Sequence, residues 1–101
     1  MAQTPESKVK ASIKKILLKH HIYYVMPIGS GYGNAGVPDF ICNVNGKFLA
    51  IEAKAGRGEL TALQIRNLAR INADGGVGLT IREDMMDYLE GMIKLLRGHD
   101  D

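Results

Sequence analysis

Apolar and polar residues alternate most clearly between residues 39 and 53, where two apolar runs flank the dipeptide Asn45-Gly46. Asn-Gly between two such runs is typical of a β-hairpin with a two-residue turn. Such a turn places Val44 opposite Lys47 and thereby sets the register of the whole hairpin. In every directly opposed pair the two residue numbers then add up to 91.

This register places Asp39 opposite Glu52, with Cβ atoms roughly 5 Å apart. Residues on a strand alternate between the two faces of the sheet, so Lys54 shares the face of Glu52. Like charges in opposed positions destabilise a hairpin, whereas a divalent cation between them would make the pair favourable. The residues alone leave two interpretations open. One is a metal site suited to phosphodiester hydrolysis, and the other is a solvated face on which Glu52 pairs with a lysine.

The rest of the pattern predicts elements in the order α-β-β-β-α-β-α. Besides the hairpin strands at 39–44 and 47–53, the predicted elements are helices near 5–21, 62–73 and 83–97 and strands at 22–28 and 77–81. The strand–helix–strand order from residue 47 onwards predicts a right-handed crossover, with the last strand parallel to the third. We therefore expect an α/β fold with a four-stranded mixed sheet flanked by helices, in one domain spanning residues 1–101.

Two of the predicted helices carry polar residues with a candidate role. Glu6 lies seven residues before Ile13, within about 20° of it around the helix axis, so it extends the core-facing stripe of the first helix. It either interacts with the helix dipole or points towards the carboxylate pair. Thr61 and Gln64 form a capping-box pattern at the start of the second helix. The spacing of that helix predicts four inward-facing residues: Ile65, Leu68, Ala69 and Asn72.

The charged residues are unevenly distributed around a net charge of only +2. Residues 1–21 contain five lysines and one acid, whereas residues 82–101 contain three basic and six acidic side chains. This asymmetry is compatible with a polyanion that approaches from the N-terminal side. The lone Cys42 cannot form an internal disulfide, and no apolar run is suited to a membrane span or a secretory signal. We therefore expect a cytoplasmic protein that does not bind a membrane.

Two short segments resemble the metal-binding core of the PD-(D/E)XK nuclease superfamily: GVPDF at residues 36–40 and AIEAK at residues 50–54. Leu60-Thr61 with Gln64, Gly75-Gly76 after the second helix, and Glu6 extend this resemblance to the VRR-NUC family, in the small stand-alone form typical of phages and bacteria. The resemblance covers residues 6 to about 84 and implies a restriction-endonuclease-like core. One departure is the short segment before GVPD, which contains no arginine.

The resemblance implies roles for individual residues and a bound Mg²⁺ or Mn²⁺. Lys54 would orient the attacking water and stabilise the charge of the transition state. Gln64 would position that water or Lys54, and Glu6 would hold a water of the cation's hydration shell. The implied metal ligands are Asp39, Glu52 and the backbone carbonyl of Ala53.

The resemblance also implies structure-selective cleavage of DNA, including four-way junctions and other branched DNA, by a homodimer. Nothing in the sequence resembles a base-reading module, so contacts to the DNA backbone are expected. The candidate DNA-binding residues are Ser30 and Tyr32 in the glycine-rich loop, Arg57 in the turn after the third strand, and Lys10 and Lys14 on the first helix.

Three other functions remain open at this stage. They are a DNA nickase or restriction-like nuclease, a catalytically idle DNA-binding subunit, and an RNA nuclease. The intact set of Asp39, Glu52 and Lys54 argues against the idle subunit, because a protein that only binds DNA has no use for a repulsive carboxylate pair.

Overall fold

The computed structural model describes residues 3–28 and 35–98. It contains three helices and four strands in the predicted order. These elements are α1 (Pro5–Lys19), β1 (Tyr23–Val25), β2 (Phe40–Val44), β3 (Lys47–Ala53), α2 (Ala62–Ala73), β4 (Val77–Ile81) and α3 (Met86–Arg97). This order confirms the predicted α/β class. None of the helices in these residues is long and apolar enough to cross a membrane.

The hairpin of β2 and β3 has the predicted turn and register. Asn45 and Gly46 both have positive φ angles, 55° and 83°, as a type I′ turn requires. Val44 pairs with Lys47, and the same register continues to the far end of β2. The local sequence thus determines which residues of the two strands face each other.

The four strands form one sheet in the order β1-β2-β3-β4. The first two pairings are antiparallel, and β3 pairs with β4 in parallel. The parallel pairing confirms the predicted crossover through α2. Because β3 is a central strand, its carboxyl end lies inside the molecule rather than at an exposed edge of the sheet.

Helices α1 and α3 cover one face of the sheet and enclose the hydrophobic core. Helix α1 begins at Thr4, whose Oγ1 accepts a hydrogen bond from the amide of Ser7 at 3.0 Å. Cys42 lies in this core, and burial raises the pKa of its thiol to about 12, so the thiol is neutral at physiological pH. The largest fully buried side chains are those of Phe40, Ile13, Leu17, Leu49, Ile51, Ile81, Leu89, Ile93 and Val44.

Helix α2 packs on the opposite face, above β3 and β4. Gly78 makes this contact possible, because a Cβ at that position would lie 3.1 Å from Leu68 Cδ2. The same face continues over β1 and β2, where register places Tyr23, Asn43 and Phe48 in one row. Tyr23 is 73% exposed and Phe48 47% exposed, so α2 covers only part of this face.

Two elements are at least three residues shorter than predicted. The strand predicted at 22–28 is only Tyr23–Val25, because it pairs with no more than three residues of β2 and Pro27 has no amide hydrogen to donate. The helix predicted from residue 83 begins at Met86. The carboxylate of Glu83 instead accepts hydrogen bonds from the amide of Gly56 at 2.9 and 3.0 Å.

The predicted inward face of α2 was also wrong in part. Leu68 is buried as expected, but Ile65 is 55% exposed and Ala69 is exposed as well. Gln64 and Ile71, which are half-buried, lie on the side of Leu68 instead. Both sets of residues fit helical spacing. Which set faces inward therefore depends on the side chains and gaps of the sheet against which the helix packs.

Candidate metal centre

Three carboxylates from distant parts of the chain meet at one end of the sheet. Glu6 comes from the first turn of α1, Asp39 directly precedes β2, and Glu52 is the penultimate residue of β3. One oxygen of each lies within 4.8 Å of one oxygen of the other two. Of the two interpretations open for Glu6, the structure therefore favours the one that directs its carboxylate towards the pair.

Asp39 is held in place by the strand next to it. Its Oδ2 accepts a hydrogen bond from the backbone amide of Ala53 at 2.8 Å. This bond ties Asp39 to the end of β3, just beyond the last backbone pairing of the hairpin, Phe40 with Ile51. The carboxylate is 18% exposed, so the site opens to solvent on the side of Asp39.

Glu52 is the only charged side chain buried among the described residues, with 2% of its surface exposed. Its Oε2 accepts a hydrogen bond from Gln64 Nε2 at 3.0 Å. Its Oε1 is buried and, with the carboxyl group ionised, has no hydrogen-bond partner among the described residues. Burial, followed by the charge of the nearby Asp39 carboxylate and by a hydrogen bond that the protonated carboxyl group makes to Asp39, raises the pKa of Glu52 from 4.5 to about 8.

Gln64 joins the start of α2 to the buried carboxylate. Its Oε1 accepts from the amide of Thr61 at 2.9 Å, and its own amide donates to Thr61 Oγ1 at 3.1 Å, which completes the predicted capping box. Its side-chain nitrogen remains available for Glu52. The backbone of α2 can approach because Gly36, with φ +87°, lies against Leu63; a Cβ at Gly36 would be only 2.6 Å from the Leu63 carbonyl carbon.

Two lysines supply positive charge at this site. Lys10, one turn after Glu6 on α1, has its Nζ 3.4 Å from Asp39 Oδ1. Lys54 is half-buried, and its charge offsets part of the upward shift in the pKa of Glu52. The backbone amide of Lys54 donates to Ile81 at 3.1 Å, which anchors the chain just beyond the end of β3.

The other predicted DNA-binding residues lie outside this cluster. Lys14 is exposed on α1, and Arg57 is exposed in the turn after β3. That turn is tied down by Glu83 and Arg82, which bond the backbone of Gly56. Ser30 and Tyr32 lie outside the described residues.

The oxygen atoms of the cluster are suited to a small divalent cation. Mg²⁺ and Mn²⁺ prefer carboxylate, carbonyl and water oxygens, and Mg²⁺ binds through one or two carboxylates. A buried carboxylate oxygen without a hydrogen bond is costly unless something positive binds it. The unpaired Oε1 of Glu52 therefore fits a cation held together with Asp39.

Three contacts of the site were not predicted from the sequence. The first is the hydrogen bond from the Ala53 amide to Asp39, since only the carbonyl of Ala53 was expected to have a role. The second is the hydrogen bond from Gln64 to Glu52, since Gln64 was expected to position the water or Lys54. The third is the ion pair of Lys10 with Asp39, since Lys10 was expected to contact DNA. The four-residue spacing of Glu6 and Lys10 was a usable signal, because it puts both side chains on one face of α1.

No family model matches the sequence, and no curated protein matches it significantly. Among solved structures, the chain is similar to one described as "VRR_NUC domain protein". The similarity has a TM-score of 0.69 and covers 95% of this chain and 90% of that chain, at 16% sequence identity. The chain has a VRR-NUC fold. The fold expected from the segments around Asp39 and Glu52 is thus confirmed, and at this identity the likeness concerns the fold rather than the reaction.

Proposed function

We propose that this VRR-NUC-fold protein is a metal-dependent, structure-selective DNA endonuclease that hydrolyses phosphodiester bonds in four-way junctions or other branched DNA. The observation that carries the proposal is the buried Oε1 of Glu52, which no group of the described residues binds, beside the carboxylates of Asp39 and Glu6. The similarity to a VRR_NUC domain protein supports it. A protein that needed this fold only as a scaffold would be more stable with an uncharged residue at position 52.

Mg²⁺ or Mn²⁺ is the proposed cofactor. Asp39 and Glu52 would bind it directly, with the carbonyl of Ala53 as a third ligand, and Glu6 would hold a water of its hydration shell. When bound, the cation would polarise the scissile phosphate and lower the pKa of a water molecule.

The chain's own residues would bind and orient the phosphate. Lys54 follows the end of β3 and is close enough to Glu52 for its charge to lower the pKa of that carboxyl group in part. Its ammonium would stabilise the negative charge that develops on the phosphate oxygens. Gln64 would keep the Glu52 carboxylate in a fixed orientation through the hydrogen bond to Oε2. Because Gln64 is also part of the helix cap, this orientation depends on the fold of α2 rather than on a free rotamer.

DNA would be bound through its backbone. The proposed contacts are Lys10, Lys14, Arg57, Ser30 and Tyr32. Paired incisions in a junction require two active sites, and the described residues hold one carboxylate cluster. We therefore propose a homodimer, which sedimentation equilibrium of the purified protein would test.

A cleavage assay tests the proposed reaction. The protein is incubated with labelled four-way junction, flap, linear duplex and single-stranded DNA, and with RNA, in Mg²⁺, Mn²⁺ or EDTA. Glu52→Gln is the inactive variant, and Glu59→Gln is its matched control, because Glu59 is an exposed acid outside the cluster. We expect paired cuts in the junction with wild type and Glu59→Gln, and none with Glu52→Gln or in EDTA.

Each alternative function predicts a different result. Equal cutting of every duplex would favour a nickase or restriction-like nuclease, and cutting of RNA alone would favour an RNA nuclease. DNA binding without any cutting, in either metal, would favour a catalytically idle subunit. Full activity of Glu52→Gln would contradict the proposed site itself.

A further inference from the structure

Within each of the carboxylates of Asp39 and Glu52, the two oxygens differ in the groups that bind them. Oδ2 of Asp39 is bound by the amide of Ala53, and Oε2 of Glu52 by Gln64. These two oxygens are held by groups that belong to the fold. The two oxygens left for a cation are Glu52 Oε1, which has no partner among the described residues, and Asp39 Oδ1, which faces the ammonium of Lys10 at 3.4 Å.

We propose that Lys10 occupies the cation side of Asp39 in the metal-free protein and is displaced when a divalent cation binds. This inference rests on the proposed metal site. A Mg²⁺ or Mn²⁺ ion bound to Oδ1 would have a typical metal–oxygen distance of roughly 2.1 Å. An ammonium that stayed 3.4 Å from the same oxygen would then be within about 5.5 Å of a doubly charged ion. The two cations therefore compete for Oδ1.

Lys10 has the properties that displacement requires. Its side chain is 35% exposed, so the ammonium can move into solvent without breaking the core. A lysine has a flexible four-carbon stem and freely rotating donors, whereas an arginine would bind a carboxylate in a rigid, bidentate manner. Its Cα is fixed by α1, next to the buried Val9. The side chain therefore swings while its point of attachment stays in place.

The displacement links metal binding to substrate binding. In the metal-free protein the charge of Lys10 is neutralised by Asp39, so it is not available to a phosphate. After displacement the ammonium is free at the rim of the site, where it can bind a phosphodiester. Lys10 is thus a positioning residue that makes the site less repulsive when empty and becomes available to DNA only after the metal has bound.

Mn²⁺ affinity in the absence of DNA tests this role. The metal is titrated by calorimetry, at low ionic strength, into wild type, Lys10→Met, Lys10→Arg and Lys14→Met. Lys14→Met is the matched control, since Lys14 lies one turn further along α1 and is exposed outside the cluster. Removing a competing ammonium should tighten Mn²⁺ binding about three- to tenfold in Lys10→Met, and by less than about twofold in Lys14→Met. Lys10→Arg, which keeps the charge, should not bind more tightly than wild type.

A second measurement reports the movement of Lys10 directly. Brief acetylation of the protein, followed by peptide mass spectrometry, compares the reactivity of each lysine with and without Mn²⁺. We expect the reactivity of Lys10 to rise severalfold on metal binding while that of Lys14 stays unchanged. This measurement uses wild type only, so it does not depend on how the variants fold.

The outcomes separate this inference from the proposed metal site. If wild type binds Mn²⁺ but Lys10→Met binds it no more tightly than Lys14→Met, the competition is disproved while the metal site stands. Tighter binding by Lys10→Met with unchanged acetylation of Lys10 would disprove the displacement. If neither wild type nor any lysine variant binds Mn²⁺, the metal site and this inference both fail.

Discussion

Replacing Glu52 with glutamine is expected to stabilise the metal-free protein at pH 8 by about 2 kcal/mol, although it removes the proposed metal site. Burial and the carboxylate of Asp39 raise the pKa of Glu52 to about 8, so its ionised form is less favourable in the folded protein than in the unfolded chain. Glutamine has the same shape and can still accept the hydrogen bond from Gln64. It carries no charge that burial would penalise.

The sign and the size of the effect follow from the two pKa values. Below pH 4.5 the carboxyl group is protonated in both states, and its full contribution to stability is present. Between pH 4.5 and about 8 the unfolded chain ionises first, so stability falls as the pH rises. At about 1.4 kcal/mol per pH unit this interval corresponds to about 4 to 5 kcal/mol. This figure is an upper bound, because relaxation and water penetration lower the cost of burying the Glu52 carboxylate, and we expect about half of it.

Urea unfolding in EDTA, followed by circular dichroism between pH 5 and pH 8.5, measures this effect. The difference in stability between Glu52→Gln and wild type should grow with pH and shift the urea midpoint by roughly 1 M at pH 8. Glu59→Gln serves as the exposed control and should follow wild type. Saturating Mg²⁺ at pH 8 should stabilise wild type but not Glu52→Gln. A stability difference that does not change with pH would refute the reasoning, because it would mean that Glu52 is ionised equally easily in both states.

Three further substitutions test, by urea unfolding, a close approach beside the site, a helix position in α3 and the hydrogen bond of Gln64. Gly36→Ala should destabilise the protein by about 2 kcal/mol or more, because φ is +87° and the new Cβ would collide with the backbone of Leu63; an unchanged midpoint would contradict this close approach. Gly91→Ala in α3 should instead stabilise by up to about 1 kcal/mol, since nothing lies within 4 Å of the added Cβ; a loss of stability would show an unrecognised contact. Gln64→Glu should cost about 1 to 2 kcal/mol at pH 8, because it removes the donor to Glu52 and adds a like charge. Equal stability of Gln64→Glu and wild type would mean that this hydrogen bond is not formed.

The opposed carboxylates were predictable because their geometry is a local property. Asn45 and Gly46 tolerate positive φ, which defines the two-residue turn, and the turn defines the register of the strands. From that register the opposition of Asp39 and Glu52 follows by counting residues. The capping box of Thr61 and Gln64 was predictable for the same reason, since its partners are three residues apart.

The orientation of α2 was not predictable in the same way. Its sequence carries two overlapping stripes with helical spacing that share Leu68, and the stripe that adds Ile65 and Ala69 to it was wrongly expected to face the sheet. The observed stripe contains Gln64 and Leu68. Gln64 donates a hydrogen bond to the buried carboxylate of Glu52, and Leu68 packs where Gly78 has no side chain. Periodicity indicates that a helix has an inward face, but it does not indicate which groups of the sheet that face contacts.

The sequence by itself determined the order of the elements, the hairpin register and the residues that carry the candidate chemistry, because each depends on neighbours within a few residues. Tertiary structure alone decided the environment of those residues. The burial of Glu52, the lack of a partner for its Oε1 among the described residues and the ion pair of Lys10 with Asp39 arise only at the end of the sheet, where residues of α1, β3, α2 and the segment before β2 come together. These features depend on desolvation and on contacts between segments far apart in the chain, and neither is encoded in spacing along the chain.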